Sequence, residues 1–162
     1  MSIRRSPIFL AIALVAGCGF HPRGSFDLPD TLKSTYVEAP GVDRKVTRGI
    51  AQSLRASGAS VVEDRAQATA ILNVRQFYDV RVLSVSDATA IQELELFYQL
   101  IFSLKDASGN TILADQRVEM FRDYTYDKNN ILGTQSEETG IREDMMQDAV
   151  QQMMRRIRAS VS

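Results

Sequence analysis

Residues 93–104 read ELELFYQLIFSL. Leu94, Leu96, Tyr98, Leu100, Phe102 and Leu104 alternate with Glu93, Glu95, Gln99 and Ser103. Successive side chains of an extended chain point to opposite faces, so this period of two predicts a strand with one apolar and one mixed face. The pattern repeats on both sides. Upstream, Leu72, Val74, Tyr78, Val80 and Val82 alternate with Asn73, Arg75, Asp79 and Arg81. Downstream, Asp106-Ala107-Ser108-Gly109-Asn110 has the composition of a hairpin loop. A further strand then runs from about Thr111 to Tyr124, with Ile112, Ala114, Val118 and Met120 on one side.

Further out the period changes. Residues 35–39 (TYVEA) form a short strand closed by Pro40-Gly41. Asp43 can cap a helix running to about Ser57, whose apolar residues Val46, Ile50 and Leu54 fall at i, i+4 and i+8. Gly58 sits where a helix-terminating glycine belongs. Gly49 inside this helix costs about 1 kcal/mol relative to alanine, which implies close packing there. Residues 127–136 read as a polar loop. Thr134 or Ser136 then starts a long helix, and Thr134-Gln135-Ser136-Glu137 fits a capping box. Its stripe is Ile141, Met145, Ala149, Met153 and Ile157, widened by Met146 and Val150. Early acids (Glu137, Glu138, Glu143, Asp144) and late arginines (Arg155, Arg156, Arg158) complement the helix dipole. The methionines read as core filler rather than a binding surface, and the arginines as dipole partners rather than a ligand site. The order β-α-β-β-β-α predicts an α+β two-layer sandwich: two helices on one face of a mostly antiparallel four-stranded sheet.

The opposite sheet face carries Ile71, Phe77, Phe97, Ile101, Leu113 and Phe121 among Arg, Glu and Asp. A face meant only for water is plainer. These residues are either a partner-facing surface, with Phe77, Phe97, Ile101 and Phe121 as its candidates, or scattered surface apolar residues.

The N-terminus specifies export. Arg4 and Arg5 precede an apolar run at residues 8–15 (IFLAIALV), and Val15-Ala16-Gly17 places small residues before Cys18. This is the anatomy of a secretory signal, and the run is far shorter than the roughly 20 apolar residues that span a bilayer. V-A-G-C resembles the lipobox of bacterial lipoproteins, in which the thiol receives a diacylglyceryl group and the freed amine a further acyl chain. Each buried CH₂ contributes about 0.8 kcal/mol, so several chains on one residue anchor firmly where one would not. Cys18 is the only cysteine. An exported protein usually pairs its cysteines, and lipidation gives this one a use. Gly19 in place of the aspartate that often retains lipoproteins at the inner membrane suggests the outer membrane. The expected organisation is a signal peptide at 1–17, a lipidated N-terminus and tether at 18–33, and one periplasmic α+β domain at 34–162.

Processing would leave 145 of the 162 residues, and 17 basic against 20 acidic side chains once Arg4 and Arg5 are removed. A chain of that size is a comfortable single domain, and the slight acidic balance gives no reason to expect nucleic acid. No catalytic constellation is visible. His21, the one histidine, lies in the tether, away from partners that could hold it as a base or ligand. No phosphate loop, zinc spacing or nucleophile elbow occurs. Glu93 and Glu95 share a strand face but read as solvated charge. No enzyme, metal or cofactor is expected, beyond the covalent N-acyl and S-diacylglyceryl lipid.

Cys18-Gly19-Phe20-His21-Pro22-Arg23-Gly24 resembles the mature start of the lipopolysaccharide-assembly lipoproteins of the LptE family, with Pro22 where leucine is usual. The order of the later segments is similar, including Met120-Phe121-Arg122-Asp123-Tyr124 and the final helix. The resemblance implies two helices on a four-stranded sheet, and a lipid-anchored outer-membrane subunit that plugs the lumen of the β-barrel LptD. That subunit would assist barrel assembly and help deliver lipopolysaccharide to the cell surface. It also implies basic residues for lipid A phosphates, for which Arg81, Arg122 and Lys128 are candidates; ordinary exposed charge is the alternative for each. The competing function is an auxiliary lipoprotein of another, ABC-type, envelope lipid-transport system.

Overall fold

The computed structural model describes residues 30–85 and 91–161. The expected signal peptide, Cys18 and the expected tether motif through Gly24 lie outside the described residues. The chain runs β1 (Ser34–Glu38), α1 (Arg44–Ala56), β2 (Ser60–Val62), β3 (Ala70–Val85), β4 (Ile91–Asp106), β5 (Thr111–Asp127) and α2 (Ile131–Val161), with single 3-10 turns at Asp30–Leu32 and Arg65–Gln67.

The α+β class and the two helices are as expected, but the sheet has five strands and is mixed. Its order is β2-β1-β3-β4-β5. β3, β4 and β5 form the expected antiparallel meander. β1 instead lies parallel to both β2 and β3, with Thr35 opposite Ala70 and Val61. The crossover through α1 returns the chain in the same direction, which makes these pairs parallel. β2 was illegible because three residues are too few to show a period.

The strand at 93–104 is the centre of the molecule. Leu96, Tyr98, Leu100 and Phe102 on β4 are fully buried. They meet Leu72 and Val74 of β3, Val118 and Met120 of β5, and the inward stripes of both helices. Val46, Ile50 and Leu54 supply the α1 stripe, and Met145, Met146, Ala149, Val150, Met153, Met154 and Ile157 that of α2. The methionines are therefore core filler. Leu32 is also in the core, so the packed body reaches upstream of β1.

Three local expectations need correction. α2 begins at Ile131, not at Thr134 or Ser136. Asn130 caps it, accepting the Gly133 amide on Oδ1 at 3.2 Å and the Thr134 amide on its carbonyl at 3.0 Å. Ile131 and Leu132 are exposed, so no buried contact marks this first turn, and the polar residues around it read as loop. Second, Ala114 is exposed, because irregularities in the β4–β5 ladder between Phe102 and Lys105 break the alternation. Third, Gly49 is not a point of tight approach: a Cβ there would meet Val150 methyls at 3.8 and 3.9 Å, ordinary contact.

Candidate functional site: the outer face of the sheet

Strand register places the outward residues of β3, β4 and β5 in rows. Arg75, Ile101 and Arg117 make one; Phe77, Gln99 and Glu119 the next; then Asp79, Phe97 and Phe121; then Arg81, Glu95 and Asp123. Three of the four sequence-derived partner candidates meet directly. The Phe97 ring lies 5.0 Å from Phe121 and 5.9 Å from Phe77, centroid to centroid, in tilted geometry. Such pairs contribute about 0.5–1.5 kcal/mol beyond burial. Phe97 is buried by its neighbours, while Phe77 and Phe121 remain about half exposed, at 52% and 46%. Ile101 is half-buried between Arg75 and Arg117, two rows from Phe97.

Polar groups frame the rings. The Arg81 guanidinium lies 5.0 Å over the Phe97 ring and 3.7 Å from both Asp79 and Glu95 carboxylates. Arg75 pairs with Asp115 at 2.8 Å, and Glu119 takes Gln99 at 2.6 Å and Arg117 at 3.8 Å. These exposed pairs contribute little stability, of order 0–1 kcal/mol each, but they fix the side chains in place.

The three lipid candidates do not converge. Arg81 is on this outer face. Arg122 is on the opposite, helix-bearing face of β5, 3.6 Å from Asp148 of α2, and it donates to the Phe121 carbonyl at 2.9 Å. Lys128 is exposed in the turn between β5 and α2.

A second polar array, missed from sequence, lies between the sheet and α2. Tyr78 and Tyr124 donate their hydroxyls to the two Glu138 oxygens at 2.9 and 3.1 Å. Arg142 stacks 4.7 Å over the Tyr78 ring and lies 3.8 Å from Asp43. Asp43 also caps α1 through the Lys45 amide at 2.7 Å, and its own amide donates to Gln76 at 3.0 Å. Burial, then the Glu138 charge, pushes the Tyr124 hydroxyl up to about 12; burial and the hydrogen bond to Glu138 raise Tyr78 further. The readable signal was the two tyrosines on an apolar strand face, whose hydroxyls need buried partners. On the solvent side of the helices, a groove of about 510 Å³ runs between α1 and α2 and is lined by Lys45, Arg48, Gln52, Gln147 and Val150. Among the described residues no group of three or more His, Cys, Asp or Glu could hold a metal ion.

The family model for LptE, lipopolysaccharide-assembly, matches residues 30–157, the whole of this sheet and nearly all of α2. The chain belongs to the LptE family. LPS-assembly lipoprotein LptE of Yersinia enterocolitica is 28% identical over 152 residues, covering 91% of this chain and 72% of the relative. LPS-assembly lipoprotein LptE of Pectobacterium atrosepticum is 26% identical over 158 residues, covering 91% and 80%. Among solved structures, an uncharacterized lipoprotein B from Nitrosomonas europaea matches at a TM-score of 0.71 and 27% identity, covering 87% of this chain and 91% of that one. LptE membership places this chain among lipopolysaccharide-assembly lipoproteins, and it makes the aromatic outer face the feature that function must explain.

Proposed function

We propose that the chain is an outer-membrane lipoprotein, anchored through acylated Cys18, that plugs and assists assembly of the lipopolysaccharide-exporting barrel LptD. It helps deliver lipopolysaccharide to the cell surface, is not an enzyme and needs no cofactor. The observation that carries this reading is the outer sheet face. An LptE-family body has buried one side of its sheet under two helices and kept half-exposed aromatic rings in a fixed polar frame on the other. A plug requires such a second contact surface, because its core is already satisfied. Lys128 is the readiest contact for a lipid phosphate, since Arg81 and Arg122 are each held by carboxylates of the chain.

Depletion tests the reading. Loss of the protein lowers surface lipopolysaccharide while lipopolysaccharide accumulates within the envelope. Normal surface lipopolysaccharide together with phospholipid in the outer leaflet contradicts it and returns the function to an ABC-type lipid-transport lipoprotein.

A further inference from the structure

The outer face shows how it receives a cation, because it already holds one of its own. Arg81 lies over Phe97 within ion-pair reach of two carboxylates, Asp79 and Glu95. Phe121 repeats half of that arrangement. It stacks on Phe97, is 46% exposed, and has Asp123 two residues further along the same face of β5. The Asp123 side chain is exposed and makes no hydrogen bond or ion pair with the described residues, and no cation of the described residues lies over Phe121. Glu119, on the other side of Phe121, is already engaged by Gln99 and Arg117.

Charge decides what can approach. Around and beyond the rings stand Asp79, Glu93, Glu95, Glu119 and Asp123 against Arg81 and Arg117, five carboxylates to two guanidinium groups. This half of the face repels phosphate headgroups and attracts basic side chains. A guanidinium or ammonium also gains from an aromatic face in a way an anion cannot.

We propose that this half of the outer face seats a protein partner, and that one arginine or lysine of the partner lies over Phe121 against Asp123, with Phe77 and Phe97 continuing the apolar contact. The proposal rests on the plug reading for the identity of the partner and supplies the chemistry of the contact. It also makes Arg81 part of the protein contact rather than a lipid ligand.

Site-specific cross-linking in the full-length lipoprotein tests it. A photoreactive p-benzoylphenylalanine replaces Phe121 and, as a control on the helical side, Arg48. The expected result is one protein adduct from position 121 and none of that adduct from position 48. The cross-linked peptide contains an arginine or lysine, and Asp123→Lys lowers the yield about tenfold or more while Asp123→Asn lowers it less. Asp123 is exposed and unpaired, so the thermal midpoint of Asp123→Lys stays near that of the parent and reports that the fold is intact. An adduct insensitive to Asp123→Lys, a lipid adduct, or no adduct at position 121 overturns the proposal. A charge-sensitive adduct with a protein other than a barrel supports the contact and removes the plug reading. Co-purification of a barrel without an adduct at 121 does the reverse.

Discussion

Glu138 accepts two tyrosine hydroxyls, from Tyr78 and Tyr124, and so ties α2 to β3 and β5 by a single carboxylate. Both hydroxyls ionise above the ordinary tyrosine value of 10.0, Tyr124 at about 12. Below pH 10 the folded and unfolded chains bind the same tyrosine protons. Above it the unfolded chain releases protons that the folded chain keeps, so stability falls as pH rises through 10 towards 12. Denaturant titrations at pH 9 and pH 11.5 should show this drop. Tyr124→Phe should lessen the drop without abolishing it, since Tyr78 and Tyr98 are raised as well, and an unchanged drop would remove Tyr124 as a contributor. Two glycines make a second test at this scale. Gly140 lies within α2 with open space where a Cβ would stand, and Gly49 has room against Val150. Each substitution by alanine should stabilise by about 0.5–1 kcal/mol, raising the melting temperature by roughly 2–4 °C. The sequence alone suggested the opposite for Gly49, because a glycine in a helix shows its propensity cost but not the space around it.

Among the elements, the long strands were readable because one face carries an apolar residue at nearly every second position, most of them buried. On β4 every inner residue from Leu94 to Leu104 is buried, and on the outer face only Phe97 and Ser103 join them. Elements held by pairing rather than by pattern were not. β2 is a three-residue edge strand fixed to β1 by register and by the Ser60 amide on the Lys33 carbonyl at 2.7 Å. The start of α2 was missed for a different reason: its cap is Asn130, and the Thr134 hydroxyl is turned to Asn130 and Asp127. Asn130→Ala should therefore cost about 1 kcal/mol in chemical denaturation, and Ser136→Ala much less. Equal costs would restore a helix start near Thr134. The outer edge of β5 is also guarded, since Arg156 reaches the Arg117 carbonyl at 2.6 Å and Arg122 the Phe121 carbonyl at 2.9 Å. Guanidinium groups on these carbonyls discourage another strand from pairing with that edge.

For the whole molecule, the two faces of one sheet divide the work. Truncating the inner face should unfold the protein: Leu100→Ala, at a fully buried site, should cost about 2–5 kcal/mol. Phe121→Ala on the outer face should cost far less stability yet weaken partner contact. Comparable losses of stability at both positions would make the outer rings structural. Much of this division was legible, since the off-phase aromatics stood out before any fold was known. Their assembly into one stacked group was not, because it depends on cross-strand register, which sets Phe97 opposite Phe121. The lipid candidates failed to converge for the same reason, with Arg81 and Arg122 on opposite faces. The most direct test is purification of the tagged, full-length lipoprotein from outer membranes in mild detergent, followed by mass measurement of the intact assembly. A stoichiometric complex with a much larger β-barrel protein is the predicted result. Repeated recovery of the lipoprotein alone would contradict it.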